Sequence, residues 1–204
     1  KASAPDGHTL LFHSVAVSVN PSLFRNAGYD LLKDFEPVAM AGVTPNLLFV
    51  NPSVKASTLA ELIAAARATP MSYASSGNGT TTHLGAELLF RSLAGVDITH
   101  VPHQPAAASV AVIGGSVPIG STSMPPVVPH AKSGKVRAIA VMSLERSPVL
   151  PDVPTVAESG YPGFEASTWF AVFAPAGTPA AVLQRLNDDF NKALRSPEIA
   201  EKFG

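Results

Sequence analysis

The sequence predicts an α/β protein whose sheets are mostly parallel. Three observations carry this expectation. Short apolar runs of strand length alternate with amphipathic helical segments. Val136-Arg-Ala-Ile-Ala-Val141 is close to a continuous apolar run, the pattern of a central parallel strand covered on both faces. Tyr73 to His83 reads as strand, Gly-rich loop and helix N-terminus, the order of a βα unit.

Taken in order, Thr9-Leu-Leu-Phe12 follows the Pro5-Asp6-Gly7 turn and reads as a buried strand. Asn20-Pro21 marks a break, with irregular chain to about Pro37. Leu47 to Val50 is a strand closed by Asn51-Pro52. Thr58-x-x-Glu61 is a capping box, and Leu59, Leu62, Ile63 and Ala66 follow at helical spacing, so residues 58–68 form an amphipathic helix. Met71 to Ala74 and Ile98 to Val101 read as strands. His83 to Leu93 reads as a helix with Leu84 and Leu88 on one stripe and Ala86, Phe90 and Leu93 on its neighbour. Val110 to Ile113 ends a helix stopped by Gly114-Gly115. Pro148 to Gly163 is a Pro-rich connection with one short helix between Pro154 and Gly160. Thr168 to Phe173 is a long strand. Thr178-Pro179 reads as an N-cap and first helical residue, followed by a stripe of Leu183, Leu186, Phe190 and Leu194. Ser196-Pro197 starts a further helix.

Composition narrows the function. The 204 residues carry 14 Lys and Arg against 15 Asp and Glu, for a net charge of −1. That balance excludes a strongly basic nucleic-acid binder, which needs a clustered cationic field. With no Cys, disulfides, a Cys nucleophile and thiolate metal sites are excluded. No apolar run approaches the roughly 18–20 residues of a membrane-spanning helix, so no membrane insertion of this chain is expected. Lys1 to Gly7 looks like a helix end and turn rather than a leader.

The segment Ser76, Gly77, Asn78, Gly79, Thr80, Thr81, Thr82 and His83 is the most informative. Its glycines permit unusual backbone angles and close approach of a ligand. The first amides of the following helix lack intrahelical partners and lie at the positive end of its dipole. Together they make an anion site without a charged side chain. The same pattern also fits a plain tight βα loop with a Thr cap. It is neither a P-loop nor a dinucleotide fingerprint nor a nucleophile elbow. None of the six His falls at the spacing of a zinc helix, and His100 and His103 flank Pro102, so no metal and no cofactor is expected. Glu87 shares a helix face with His83 and reads as a solvated or structurally paired carboxylate. No Ser/His/Asp set emerges from spacing.

Seven motifs occur in order: Ala4-Pro-Asp-Gly-His-Thr-Leu-Leu11, Asn20-Pro-Ser-Leu-Phe24, Asp34-Phe-Glu-Pro-Val38, Ser75 to Leu84, His100-Val-Pro102, Leu150 to Gly160, and Phe173 to Pro179. Across essentially the whole chain they resemble the substrate-binding receptors of tripartite tricarboxylate transporters, the Bug family. The resemblance implies a type II periplasmic-binding-protein fold, in which two α/β domains face each other across a cleft. It implies a periplasmic receptor, not an enzyme, that captures a small organic anion (a mono- or dicarboxylate) and serves the membrane components of a tripartite transporter. The implied domains are 1–50 plus 169–204 and a continuous 51–168, with crossings near Leu48–Pro52 and Thr168–Pro175. Family members carry further strands and helices before the position of Lys1 and after that of Gly204. The resemblance therefore implies a family core cut at both ends, with domain 1 incomplete.

The same resemblance implies the ligand-facing residues. Ser14, Val15 and Ala16 would contribute from domain 1 and Ser76 to His83 from domain 2. Ser121, Thr122 and Ser123 would lie in a turn after a strand near Val117, and Trp169 and Phe170 at the return crossing. His103-Gln104-Pro105 stands where the family often has Tyr-Lys-Gly, and Pro118 and Thr122 stand where it often has acidic residues. Losing those carboxylates removes a partner for a ligand ammonium and disfavours an amino acid. A ligand-sensing domain of a regulator, or an enzyme on a similar scaffold, are the alternatives, because fold alone does not fix function.

Overall fold

A computed structural model describes residues 2–199, which form two compact units. Unit 1 holds the chain up to Val43 and again from Trp169, and unit 2 is the continuous stretch Thr44–Thr168. The chain begins with β1 (Leu11–Ser14), α1 (Ala16–Leu23), α2 (Leu31–Asp34) and β2 (Phe35–Thr44). Unit 2 follows with β3 (Asn46–Val50), α3 (Leu59–Ala68), β4 (Ser72–Ser75), α4 (Thr81–Glu87), β5 (Thr99–Pro102), α5 (Pro105–Ile113), β6 (Ile119–Ser123), α6 (Val128–Lys132) and β7 (Arg137–Val141). Then β8 (Thr168–Pro175) and α7 (Ala180–Leu194) return to unit 1.

Unit 2 is built on a five-stranded sheet in the order β5-β4-β6-β3-β7. Its pairing corrects the expectation of mostly parallel sheets: β4 runs parallel to β5 and β6, but β3 is antiparallel to β6 and β7. The sheet is mixed. The apolar run at 136–141 is accordingly an edge strand, not a central parallel one. It is apolar because both faces are covered: Ile139 and Ala140 join one buried cluster, Val136 and Val141 the other. The same alternation splits β3, with Leu48 and Val50 facing the side of α3 and Leu47 and Phe49 facing the side of α5. Because β3 pairs on both edges inside this sheet, the first change of unit falls at Val43/Thr44 and not after residue 50.

The capping box forms with one adjustment. The Glu61 amide donates to Thr58 Oγ1 at 3.2 Å, while Glu61 Oε2 accepts from the Ser57 amide at 2.7 Å. Residues 88–93 continue α4 as a π-helical turn. The wider turn rotates the stripe, so Leu89 and Phe90 are buried with Ala86 while Leu88 and Leu93 are exposed. The short helix expected after Pro154 reduces to a single turn around the Thr155–Glu158 hydrogen bonds, ended at Gly160 with φ +109°.

Unit 1 has a three-stranded sheet, β1-β8-β2, with β1 antiparallel to β8. Leu183, Leu186 and Phe190 of α7 pack on Val38, Val172 and Ala174. Thr178 does not cap α7: its hydroxyl donates to Pro175 O at 2.7 Å, and Pro179 occupies the cap position. The break expected at Asn20-Pro21 is instead the last turn of α1. Proline has no amide to offer Val17 O, and the Tyr29 hydroxyl donates there at 2.7 Å. β2 contains Pro37 and lies at a sheet edge, where a missing donor is tolerated. Of the helix expected from Ser196, residues 197–199 are helical and the remainder lies outside the described residues.

Candidate functional site

In unit 2 the parallel pair β4 and β5 ends side by side, and the Ser75–His83 segment leaves the carboxyl end of β4. Gly77 and Gly79 hold φ of +114° and +76°, the left-handed region that favours glycine. A Cβ on Gly77 would also come to 3.6 Å from His103 O.

A directed chain of hydrogen bonds shapes the loop. The Ser76 amide donates to Thr82 Oγ1 at 3.1 Å, and the Thr80 hydroxyl donates to Gly77 O at 2.7 Å. The Thr80 proton is thereby used, so the 2.8 Å contact between the two hydroxyls is donated by Thr82. Thr80 caps α4, accepting the His83 amide. The Gly77 amide donates to Ser75 Oγ at 3.2 Å and the Gly79 amide to His83 Nδ1 at 3.2 Å. The Thr80 amide donates to Gly77 O at 3.4 Å, so the amides of Ser76, Gly77, Gly79, Thr80 and His83, all expected to face an anion, are committed within the loop. Those of Asn78, Thr81 and Thr82 have no partner among the described residues. The Thr81 hydroxyl bonds that of Thr168.

Beneath the loop lies a group that sequence spacing did not reveal. Ser75 Oγ and His100 Nε2 share a hydrogen bond of 2.6 Å. The His83 and His100 rings stack with centroids 4.0 Å apart, and Tyr73 stacks on His100 at 4.9 Å. Burial lowers the pKa of His83, opposed by Glu87. Burial first, then the neighbouring His83, pushes His100 down to about 4. Burial and the Glu87 carboxylate, which accepts the Tyr73 hydroxyl at 2.7 Å, push the phenol up. Glu87 is thus a structurally paired carboxylate. The Ser75–His100 pair resembles a nucleophile and its base, but Ser75 is 0% exposed, so no substrate atom reaches its hydroxyl. The only signal for this contact would have been the register that sets Tyr73 opposite His100, which needs the strand pairing itself.

Ser121 to Ser123 do not form the expected turn. They are strand residues of β6, and Ser121 and Thr122 are buried. Ser121 donates to Thr82 O at 2.7 Å and so supports the loop from below, while Thr122 donates to Ser123 O at 3.2 Å. In unit 1, Ser14 ends β1 opposite Phe170, and the Val15 amide donates to Trp169 O at 3.0 Å, with Ala16 opening α1. Phe170 stacks on Phe12 at 5.8 Å. The residues expected to face ligand thus gather as one cluster in each unit. Among the described residues, no group of three His, Cys, Asp or Glu side chains is placed to hold a metal ion, and no helix is long and apolar enough to cross a membrane.

Comparison with known proteins bears on this geometry. The model of the tripartite tricarboxylate transporter family receptor (TctC) matches residues 1–204. BugT of Bordetella pertussis is 40% identical over 206 residues, covering 98% of this chain and 63% of BugT. The chain spans 61% and 63% of the lengths of the two curated relatives at this identity. The structure of R. palustris Rpa4515 with adipate is 35% identical, with a TM-score of 0.90 over 98% of this chain and 68% of that one. MatC from Rhodopseudomonas palustris with bound malate is 33% identical, with a TM-score of 0.87 over 97% of this chain and 68% of that one. The two-lobed α/β fold with mixed sheets is that of the periplasmic binding proteins. By sequence along its whole length and by fold, the chain belongs to the tripartite tricarboxylate transporter receptor family, a family of solute-binding receptors.

Proposed function

We propose that this protein is an extracytoplasmic receptor that captures a small dicarboxylate and delivers it to the membrane components of a tripartite transporter. The observation that carries the reading is its likeness to the adipate and malate complexes, at 35% and 33% identity, within the family matched over residues 1–204. The Ser76–His83 segment supports it. The unpartnered amides of the exposed Asn78 and the half-buried Thr81 are donors suited to a carboxylate, and hydrogen bonds to an ionised acceptor are among the stronger ones. Ser14, Val15, Ala16, Trp169 and Phe170 are the candidate contacts in unit 1. The same likeness supports a periplasmic location.

Calorimetry with mono-, di- and tricarboxylates tests the reading, and a dicarboxylate is expected to bind best. Gly79→Val should weaken binding at least about tenfold while unit 2 stays folded, since a β-branched residue strained at positive φ by about 1–3 kcal/mol shifts the turn away from the shape that binding must restore. Tight binding of a cationic ligand, with no carboxylate bound, would sink the idea.

A further inference from the structure

The loop's shape depends on a ring that carries no charge. Gly79 donates its amide proton to His83 Nδ1 at 3.2 Å, so Nδ1 itself holds no proton and the neutral ring keeps its proton on Nε2. The ring cannot swing freely: it stacks on His100 with centroids 4.0 Å apart, and His100 is tied to Ser75 at 2.6 Å. Ser75 in turn accepts the Gly77 amide. Both glycine amides of the turn therefore end on this Ser–His–His group.

We propose that His83 is a positioning residue of the loop: by accepting the Gly79 amide at Nδ1, its uncharged imidazole holds the turn in the shape that leaves the Asn78 and Thr81 amides open to a carboxylate. The inference rests on the carboxylate-binding reading for its ligand, but the hydrogen bond it concerns exists without one.

Charge around the ring is already allocated. From β5 the His100 ring faces it, and His103 lies just beyond, its Nδ1 against Val101 O at 2.8 Å. From its own helix comes Glu87, which holds the Tyr73 hydroxyl from β4 and pairs with Arg91 at 3.4 Å. Arg91 also pairs with Asp97 at 2.8 Å. A proton on Nδ1 would end its role as acceptor and set a cation against a second imidazole. This gives two roles opposite consequences. A His83 that paired with the ligand as imidazolium would bind a carboxylate more tightly in acid. A His83 that positions the loop binds it less tightly as its own ring titrates.

The test uses His83→Asn, whose Oδ1 is an uncharged acceptor near the place of Nδ1, and His83→Ala, which has none. Nitrogen NMR on the ligand-free wild type should show the Nε2–H tautomer, and its shift follows the ring's own titration. Exchange of the Gly79 amide should quicken roughly tenfold in H83A, the loss of about one hydrogen bond, and little in H83N. Titration with adipate and with malate should give roughly tenfold weaker binding for H83A and binding within about twofold of wild type for H83N. Only wild type should weaken as its ring protonates, with H83N controlling for ligand ionisation. A proton on Nδ1, unchanged Gly79 exchange in H83A, H83N as weak as H83A, or tighter binding in acid each overturns the proposal. If wild type binds neither ligand but the tautomer and exchange results hold, the dicarboxylate reading fails and the positioning role stands.

Discussion

The close contact between β3 and β6 offers a sharp test of how unit 2 is packed. Phe49 is 0% exposed in β3 and stands opposite Gly120 in the antiparallel register. A Cβ built on Gly120 would come within 2.7 Å of Phe49 Cε1 and Cε2, and closer still to Cζ. Gly120 is not among the positive-φ glycines, so Gly120→Ala meets no backbone strain. On backbone grounds alone, alanine should stabilise the strand by roughly 0.5–1 kcal/mol. Against that, a methyl forced into a filled core costs about 1–3 kcal/mol, here toward the upper end because the ring is buried. The net expectation is a loss of about 2 kcal/mol, or about thirtyfold faster exchange of amides that open with the core. Hydrogen exchange with mass spectrometry, on peptides covering residues 46–50 and 119–123, reads it directly. Phe49→Leu should relieve the clash, so the double variant should lose about 1 kcal/mol less than the summed single losses. Exchange in G120A that is unchanged or slower than wild type would refute the reasoning, since the backbone gain would then stand unopposed.

Other expectations follow from buried polar groups. Asn46 is 0% exposed, donates to Ala166 O at 2.6 Å and accepts the Thr168 hydroxyl at 3.0 Å. Asn46→Ala should destabilise unit 2 by about 2–4 kcal/mol, measured as a lower urea midpoint, because two partners lose their bonds inside the fold. His100 supplies a pH dependence whose sign can be worked out. Its pKa falls from 6.5 to about 4 on folding, so between these values the unfolded chain binds the extra proton. The stability associated with the neutral ring is complete above pH 6.5, declines as pH falls toward about 4, and changes no further below that. Urea midpoints across this window should slope less for His100→Gln than for wild type, and equal slopes would refute the assignment.

Legibility in the sequence varied with the range of the interactions. α3 was readable because its cap and stripe are local: Thr58, Glu61 and the residues within three turns of them. β3 was readable as a run of apolar residues, whereas α1 and β2 were not. Each contains a proline whose missing donor is answered by tertiary structure, the Tyr29 hydroxyl in one case and a sheet edge in the other. β7 was found but misplaced, since cover on both faces makes an edge strand look like a central one. In the site, glycines and threonines in sequence marked the loop, and the loop is where they marked it. Which of its amides remain open was not legible, because that depends on Ser75, Thr82 and His83 turning back onto the backbone. The His83–His100 stack joins a residue of α4 to one of β5 and has no local signature.

Asn46 has a further consequence, in the order of events during synthesis. Its side chain clasps residues 166 and 168, so the point where the chain enters unit 2 is fastened to the point where it leaves. Unit 2 is thereby a closed loop of sequence, complete once Thr168 has emerged from the ribosome. Unit 1 is different: among the described residues β1 pairs with β8, which is made after all of unit 2. The inserted unit can therefore finish folding while the strand that preceded it still waits for β8.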